Sequence, residues 1–348
     1  MKAEIMKVKG GARAIATMTF DDGLVKTANT LNELCERYGC RASLMMCTYK
    51  LNDGSAELWR GIFDKGYLNP ESHSRYHKYL TPSHPENLTE EIMKEEIEDS
   101  LSDLKKYLPR YDSLTFGIPY SSYAPEAYEL LYRNYYAARG GICVLYNESA
   151  RGKVQSLDPK SGNRDGDWYN PYGIRMMPEK SQVYPMITPD AIIEHLDRCV
   201  EREGWFLSVA HGTVEGENLD ITVSDLARIM ERMQYHAEHC DLWVATYTDA
   251  VKYIRERQNT ALALSAREDG ADITLTMADK TEDGLPLPAS VFNIPLTVRL
   301  ELPLGVRGAE WTQGGEKHTV PARLENGVAY AYLDIVPDGT SVTVSIVK

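Results

Sequence analysis

No apolar run in this chain of 348 residues approaches the length needed to cross a bilayer, so a soluble protein is expected. The first residues, Met1 to Gly10, lack the apolar core of a secretory leader. The chain is therefore expected to stay inside the cell, or to have lost such a leader already. Cysteine is scarce and unpatterned. Cys35, Cys40, Cys47, Cys143, Cys199 and Cys240 form no CxxC pair and no regular framework, which favours mostly buried thiols over a disulfide scaffold. Positive charge is also in short supply, with 38 Lys and Arg against 51 Asp and Glu and a net charge of -13. Nucleic acid is excluded as a partner because its phosphates would be repelled, and a neutral or basic substrate is easier to accommodate.

What is present is alternation. Short β-prone runs (Ala14 to Phe20, Arg41 to Thr48, Leu114 to Gly117, Tyr135 to Leu145, Trp205 to Ala210, Leu242 to Thr246) take turns with helical patterns (Leu24 to Tyr38, Ala56 to Lys65, a helix from Pro125, Thr188 to Arg202, Val223 to Cys240, Thr248 to Gln258). Asn87 opens a longer amphipathic helix to about Leu108, with Ile92, Ile97, Leu101, Leu104 and Leu108 on one side and its acidic residues on a solvated face. This order predicts an α/β domain with parallel strands over residues 1–260. From about Leu262 the period becomes two, as in Leu296-Thr297-Val298-Arg299-Leu300, and predicts a small antiparallel β-sandwich as an accessory domain over 261–348. Asn147 to Pro185 is the least regular stretch of the α/β part, and its Trp168, Tyr169 and Tyr172 favour an ordered loop over a site.

Two short motifs carry chemistry. In Thr19-Phe20-Asp21-Asp22-Gly23 the paired carboxylates follow a strand, where α/β proteins bind ligands; they can equally cap the helix that begins near Leu24. In His73-Ser74-Arg75-Tyr76-His77 the histidines are four apart, so on a helical turn they share a face and can converge on one ion; two surface histidines would look the same. His84, between Ser83 and Pro85, reads as a loop residue outside this pair. Together the motifs amount to a divalent-metal site with a spare carboxylate, the equipment of a metal-assisted hydrolase.

TFDDG followed by HSRYH resembles the first two motifs of the polysaccharide deacetylases, carbohydrate esterase family four, and the resemblance runs over roughly Ala14 to Arg257. It implies a distorted (β/α) barrel. It also implies that Asp21 is the catalytic base, and that Asp22, His73 and His77 bind a divalent metal, zinc first, with cobalt, nickel or manganese as alternatives. The family's third motif is matched by Phe116-Gly117-Ile118-Pro119-Tyr120, with Gly117 where an arginine that pairs with the base is expected. Tyr120 would keep its role of offering a backbone N–H to the oxyanion. Arg139 is the candidate substitute for the arginine and Arg175 a second one, although Arg139 can also be an edge residue or a substrate contact. Asp165-Gly166-Asp167-Trp168 resembles the fourth motif, which would make Asp167 the residue that orients the catalytic histidine and Trp168 a wall of the acetyl pocket. Leu207-Ser208-Val209-Ala210-His211-Gly212 resembles the fifth, with His211 as general acid and Leu207 and Val209 lining that pocket; a satisfied core histidine is the alternative. The activity implied is hydrolysis of acetyl esters or acetamides on a polysaccharide or oligosaccharide, an acetylated glycan being the partner. The β-sandwich would brace the barrel or support a homo-oligomer. A carbohydrate-binding protein on an inactive scaffold and a hydrolase of small non-sugar amides are the competing readings.

Overall fold

The chain opens on a short strand, β1 (Ala3–Ile5), that pairs antiparallel with Val298, Arg299 and Leu300 near the other end of the sequence. The computed structural model describes residues 1–121, 124–140, 153–160, 166–178 and 187–348. They divide into two compact units, Ala14–Val251, and Met1–Arg13 with Lys252–Lys348. The change of texture predicts a boundary at 260/261. The division instead falls at Val251/Lys252, and the pairing of β1 assigns the first residues to the second unit.

The larger unit is built on β2 (Ala14–Phe20), which is buried along its whole length. Such a strand carries no charged side chain because both its faces are covered. Its neighbours are β3 (Ala42–Met46), β4 (Leu68–Ser72), β5 (Thr115–Gly117), β6 (Ala137–Arg139), β7 (Ile174–Arg175), β8 (Trp205–Ala210) and β9 (Leu242–Val244). They form a parallel sheet in the order β6-β5-β4-β3-β2-β8-β7. β8 takes one side of β2 from Ile15 to Phe20, while β3 pairs with Met18 to Phe20 and β9 with Ala14 to Ala16. This is the curled parallel sheet of a distorted (β/α) barrel: the alternation predicts its parallel strands, and the family resemblance implies the barrel.

Helices α1 (Val25–Tyr38), α2 (Ala56–Phe63), α3 (Glu90–Lys94), α4 (Ser100–Tyr107), α5 (Pro125–Asn134), α6 (Pro189–Glu201), α7 (Val223–Glu238) and α8 (Tyr247–Gln258) connect the strands. Threonine hydroxyls cap four of them: Thr89 accepts from Ile92, Thr188 from Ala191, Thr222 from Asp225 and Thr246 from Asp249. α1 starts after Leu24, which has no side chain to cap it. Glu217, from the loop after β8, does so instead, accepting from the N–H groups of Lys26 and Thr27 at 2.9 and 2.8 Å and from the Thr27 hydroxyl at 3.0 Å. The amphipathic helix predicted from Asn87 to Leu108 passes between α3 and α4 through a π-helical turn at Glu95–Asp99. Its acidic residues do not all face water, because Glu96 is fully buried. Of the strand predicted from Tyr135 to Leu145, Ala137–Arg139 is present and 141–145 lies outside the described residues. The irregular stretch 147–185 is described over 153–160 and 166–178 only.

The second unit consists of antiparallel strands. β10 (Thr260–Arg267), β11 (Gly270–Met277), β12 (Leu296–Leu302), β13 (Gly308–Gln313), β14 (Glu316–Pro321), β15 (Arg323–Glu325), β16 (Val328–Ile335) and β17 (Asp338–Val347) join β1 in two sheets, β1-β12-β16-β15 and β10-β11-β17-β13-β14. Alternate residues such as Ala329, Ala331, Leu333 and Ile335 on β16 are buried, the period-two pattern of a half-covered strand.

Candidate functional site

Five parallel strands deliver polar side chains at or just beyond their carboxyl ends: Asp21 after β2, His73 after β4, Arg139 ending β6, Arg175 ending β7 and His211 after β8. Asp21 donates its N–H to Ala210 O at 2.8 Å, continuing the β2–β8 ladder, and its side chain is buried. Asp22 then takes a left-handed conformation (φ 73°), which aspartate tolerates, and the two carboxylates part company. Asp22 faces the histidines. Its Oδ1 lies 3.8 Å from His73 Nε2 and 3.6 Å from His77 Nε2, and the two imidazole nitrogens are 3.2 Å apart.

One ligand atom from each of Asp22, His73 and His77 lies within 4.8 Å of the others, the spacing of a metal-binding cluster. The tautomer of His73 agrees with this use. Its Nδ1 is 2.7 Å from Gly117 O, which can only accept, so the proton sits on Nδ1 and the Nε2 lone pair points to the cluster. Burial lowers the His73 pKa well below the ordinary imidazole value, which keeps the ring neutral as a ligand must be. The histidines do not share a helical face. HSRYH is a non-helical loop with Ser74 and His77 at φ 62° and 60°, and the curl of that loop, not helical periodicity, brings His77 back to His73. A cleft of about 340 Å³ opens beside Asp22 and His77, with Leu24, Cys47, Tyr49 and Tyr76 among its walls.

Asp21 approaches the same His73 nitrogen as Asp22 does, its Oδ2 at 3.7 Å from Nε2. Burial pushes its pKa up, but Arg139, His73, His211 and Arg175 together overcome that and hold it below the usual carboxylate value. His211 is held by Asp220, whose Oδ2 accepts from Nδ1 at 2.6 Å and from the His211 N–H at 2.9 Å. Burial disfavours the imidazolium, yet the Asp220 bond and the charges of Asp21 and Asp22 raise the His211 pKa above its ordinary value.

Residues 9–137 match the sequence model of a family described as polysaccharide deacetylase. This stretch is similar to that family. The family acts on acetylated polysaccharides. A gellan lyase from a Bacillus species is 23% identical over 339 residues; the match covers 94% of this chain, which spans only 12% of that protein's length. Solved structures similar to this chain include a polysaccharide deacetylase from Mycobacterium smegmatis (14% identity, 76% of this chain and 98% of that one, TM-score 0.49). Another is a family 4 carbohydrate esterase from Streptomyces lividans in complex with acetate (16% identity, 66% and 90%, TM-score 0.41).

The deacetylase motif departs from its pattern at Gly117, and the structure shows what fills the space. Gly117 pairs in register with Arg139 on β6. The Arg139 side chain crosses Gly117 and its guanidinium donates to Asp21 Oδ1. A Cβ at 117 would sit 2.9 Å from both Arg139 Nη2 and His73 Nδ1, so glycine is needed here for this close approach. Arg175, in register with Val209, adds a second positive charge near Asp21.

The other sequence candidates are less uniform. Tyr120 (φ 57°) is half exposed, and its ring packs edge-on to His77 at 4.5 Å and stacks on Tyr79. Leu207 and Val209 are buried on β8. Trp168 is also buried, packing edge-on to Trp205 at 6.5 Å, while its carbonyl accepts from Ala138. Asp167 bridges to Asn170 and is not the partner of His211; Asp165 lies outside the described residues. Asp220 takes that place because the loop after β8 folds back on itself. Gly212 donates to Asn218 O and accepts from Asp220 N–H, and a Cβ on Gly212 would lie 2.1 Å from Glu217 O. Nothing in the spacing of His211 and Asp220 marks them as a pair, so Asp220 escapes sequence reasoning.

Proposed function

We propose that this chain is a metal-dependent carbohydrate deacetylase that hydrolyses acetyl esters or acetamides on an oligosaccharide or polysaccharide. The observation that carries the reading is the arrangement around His73: the cluster of Asp22, His73 and His77, and beside it an arginine-held carboxylate, Asp21, whose Oδ2 lies 3.7 Å from the same His73 nitrogen. A divalent cation held by Asp22, His73 and His77, zinc by preference for such a nitrogen and oxygen set, would supply Lewis acidity and a water of lowered pKa. Asp21, kept ionised and oriented by Arg139, accepts the proton of the attacking water. His211, kept protonated by Asp220, donates to the departing sugar oxygen or nitrogen. The Tyr120 N–H is assigned to the oxyanion.

Gly117 and the appended β-sheet unit motivate the alternative of an inactive, sugar-binding scaffold, and Arg139 beside Asp21 weighs against the first of these grounds. The preference for a sugar rests on the exposed Tyr49, Tyr76, Tyr79 and Tyr120, whose amphipathic rings suit the apolar faces of pyranoses. The buried Trp168 and Tyr169 cannot serve in that way. The net charge of -13 favours neutral over anionic glycans.

The test is acetate release from acetylated xylan, chitin oligomers and peptidoglycan fragments, after chelation and again after adding zinc or cobalt. Activity restored by metal on at least one glycan is expected, and acetate release that ignores chelation would overturn the reading. Asp21→Asn should keep its metal and lose turnover, whereas His73→Ala should lose the metal; full activity in the first or full metal content in the second would sink those roles.

A further inference from the structure

We infer that Glu96 is a positioning residue that holds the metal-ligating conformation of His77, an inference that rests on the metal-dependent reading above. His77 does not belong to a helix or strand and sits at φ 60°, a conformation that costs a non-glycine residue about 1–2 kcal/mol and persists only where its surroundings impose it. The surroundings that impose it come largely from one side chain. Glu96 lies in the π-helical turn between α3 and α4 and is fully buried. Its carboxylate accepts the N–H of Tyr76 on both oxygens, at 3.2 and 3.1 Å, and the N–H of Lys78 at 3.2 Å. These are the amides immediately before and after His77. The Glu96 carbonyl also accepts the N–H of Arg75 at 3.2 Å, and the His77 N–H itself is taken by Ser74 Oγ at 2.9 Å.

The backbone is thus gripped on both sides of His77 while the imidazole is left pointing at His73 and Asp22. Buried amides in a loop that makes no ladder need acceptors, and a two-oxygen carboxylate satisfies two of them in the geometry that the left-handed residue between them requires. Without it the loop relaxes out of that conformation. His77 Nε2 then moves away from its 3.2 Å approach to His73 Nε2, and the three-ligand set loses one member. Further contacts, Thr48 N–H on Ser74 O, Tyr49 N–H on Arg75 O and the ion pairs of Arg75 with Asp99 and Asp103, hold the part before Tyr76; the Lys78 ammonium pairs with Glu95, but its backbone N–H goes to Glu96.

Glu96→Gln keeps the size of the side chain but removes its charge and one acceptor oxygen, setting an NH₂ group against the Tyr76 N–H or the Lys78 N–H. Titration of the metal-free full-length chain with Co²⁺ is expected to show about tenfold weaker binding or more, with a changed visible absorption band. Hydrogen exchange at the Tyr76 and Lys78 amides should quicken, while β3 and β8 stay protected. Glu95→Gln is the control, because the Glu95 carboxylate pairs with the side chains of Lys78 and Arg75 at 3.2 and 3.9 Å and, among the described residues, takes no backbone amide of the loop; its Co²⁺ affinity should match wild type. If Glu96→Gln does not fold, Glu96→Asp, which withdraws both oxygens by one methylene, carries the same expectation. Wild-type Co²⁺ affinity and spectrum in the folded Glu96 variant would overturn the role of Glu96 alone. A wild-type chain that binds no Co²⁺ would overturn the metal reading and this inference with it.

Discussion

Arg139 reaches Asp21 only because residue 117 has no side chain, so two positions that look unrelated in the sequence form one device. Removing the guanidinium leaves a buried carboxylate facing burial with fewer opposing charges. Arg139→Leu is expected to lower kcat by about 10²-fold or more and to move the acidic limb of the pH profile upwards, because the base now holds its proton to higher pH. Steady-state kinetics across pH on an acetylated oligosaccharide checks both. The sign is opposite for His211. Its pKa is raised, so the proton needed by the leaving group persists to higher pH and is lost as pH rises through that value. Asp220→Asn deletes the charge that sustains it, and the basic limb of kcat/KM should move to lower pH; an unmoved basic limb would show that His211 does not set it.

Elements matter here through their ends. Five of the barrel strands end at or just before a residue of the candidate site, and loops beyond them are tied to neighbouring elements. Glu217 caps α1, which follows TFDDG, from the same loop that carries Asp220, and Thr213 donates its N–H to Thr27 Oγ1 at 3.1 Å. Glu217→Ala frees the first amides of α1 and unties this loop from the helix. A loss of about 1 kcal/mol in urea unfolding is expected, together with a fall in kcat from the loosened His211 loop. The helix from α3 to α4 illustrates the limit of periodicity. Its apolar side, Ile97, Leu101 and Leu104, is buried as its spacing predicts, but the same spacing assigns Glu96 to water when its carboxylate is inside.

For the whole molecule, the concentration of carboxylates and imidazoles at one end of the sheet has a thermodynamic consequence. A metal that binds only the folded cluster stabilises the fold by mass action, by about 2.7 kcal/mol when free metal is a hundredfold above its dissociation constant. Thermal unfolding with added zinc, and again after a chelator, should show this difference in the wild type and not in His73→Ala. The two antiparallel sheets of the second unit contribute none of the named site residues, in keeping with a sequence there that carries no such constellation.

Within the sequence lay the alternation of buried strands and amphipathic helices, the end of β2 at Asp21, and the residues proposed to bind metal or move protons. Those are legible because burial and helical or strand periodicity are local, and because reactive side chains are few. The tertiary structure alone decided which groups hold them. Arg139 meets Asp21 across 118 positions and His73 meets Gly117 O across 44. Asp220 returns to His211 through a loop without periodicity, and Glu96 turns inward to grip the loop of His77. Such contacts depend on strand order and on how loops close, and neither leaves a mark in the pattern of neighbouring residues.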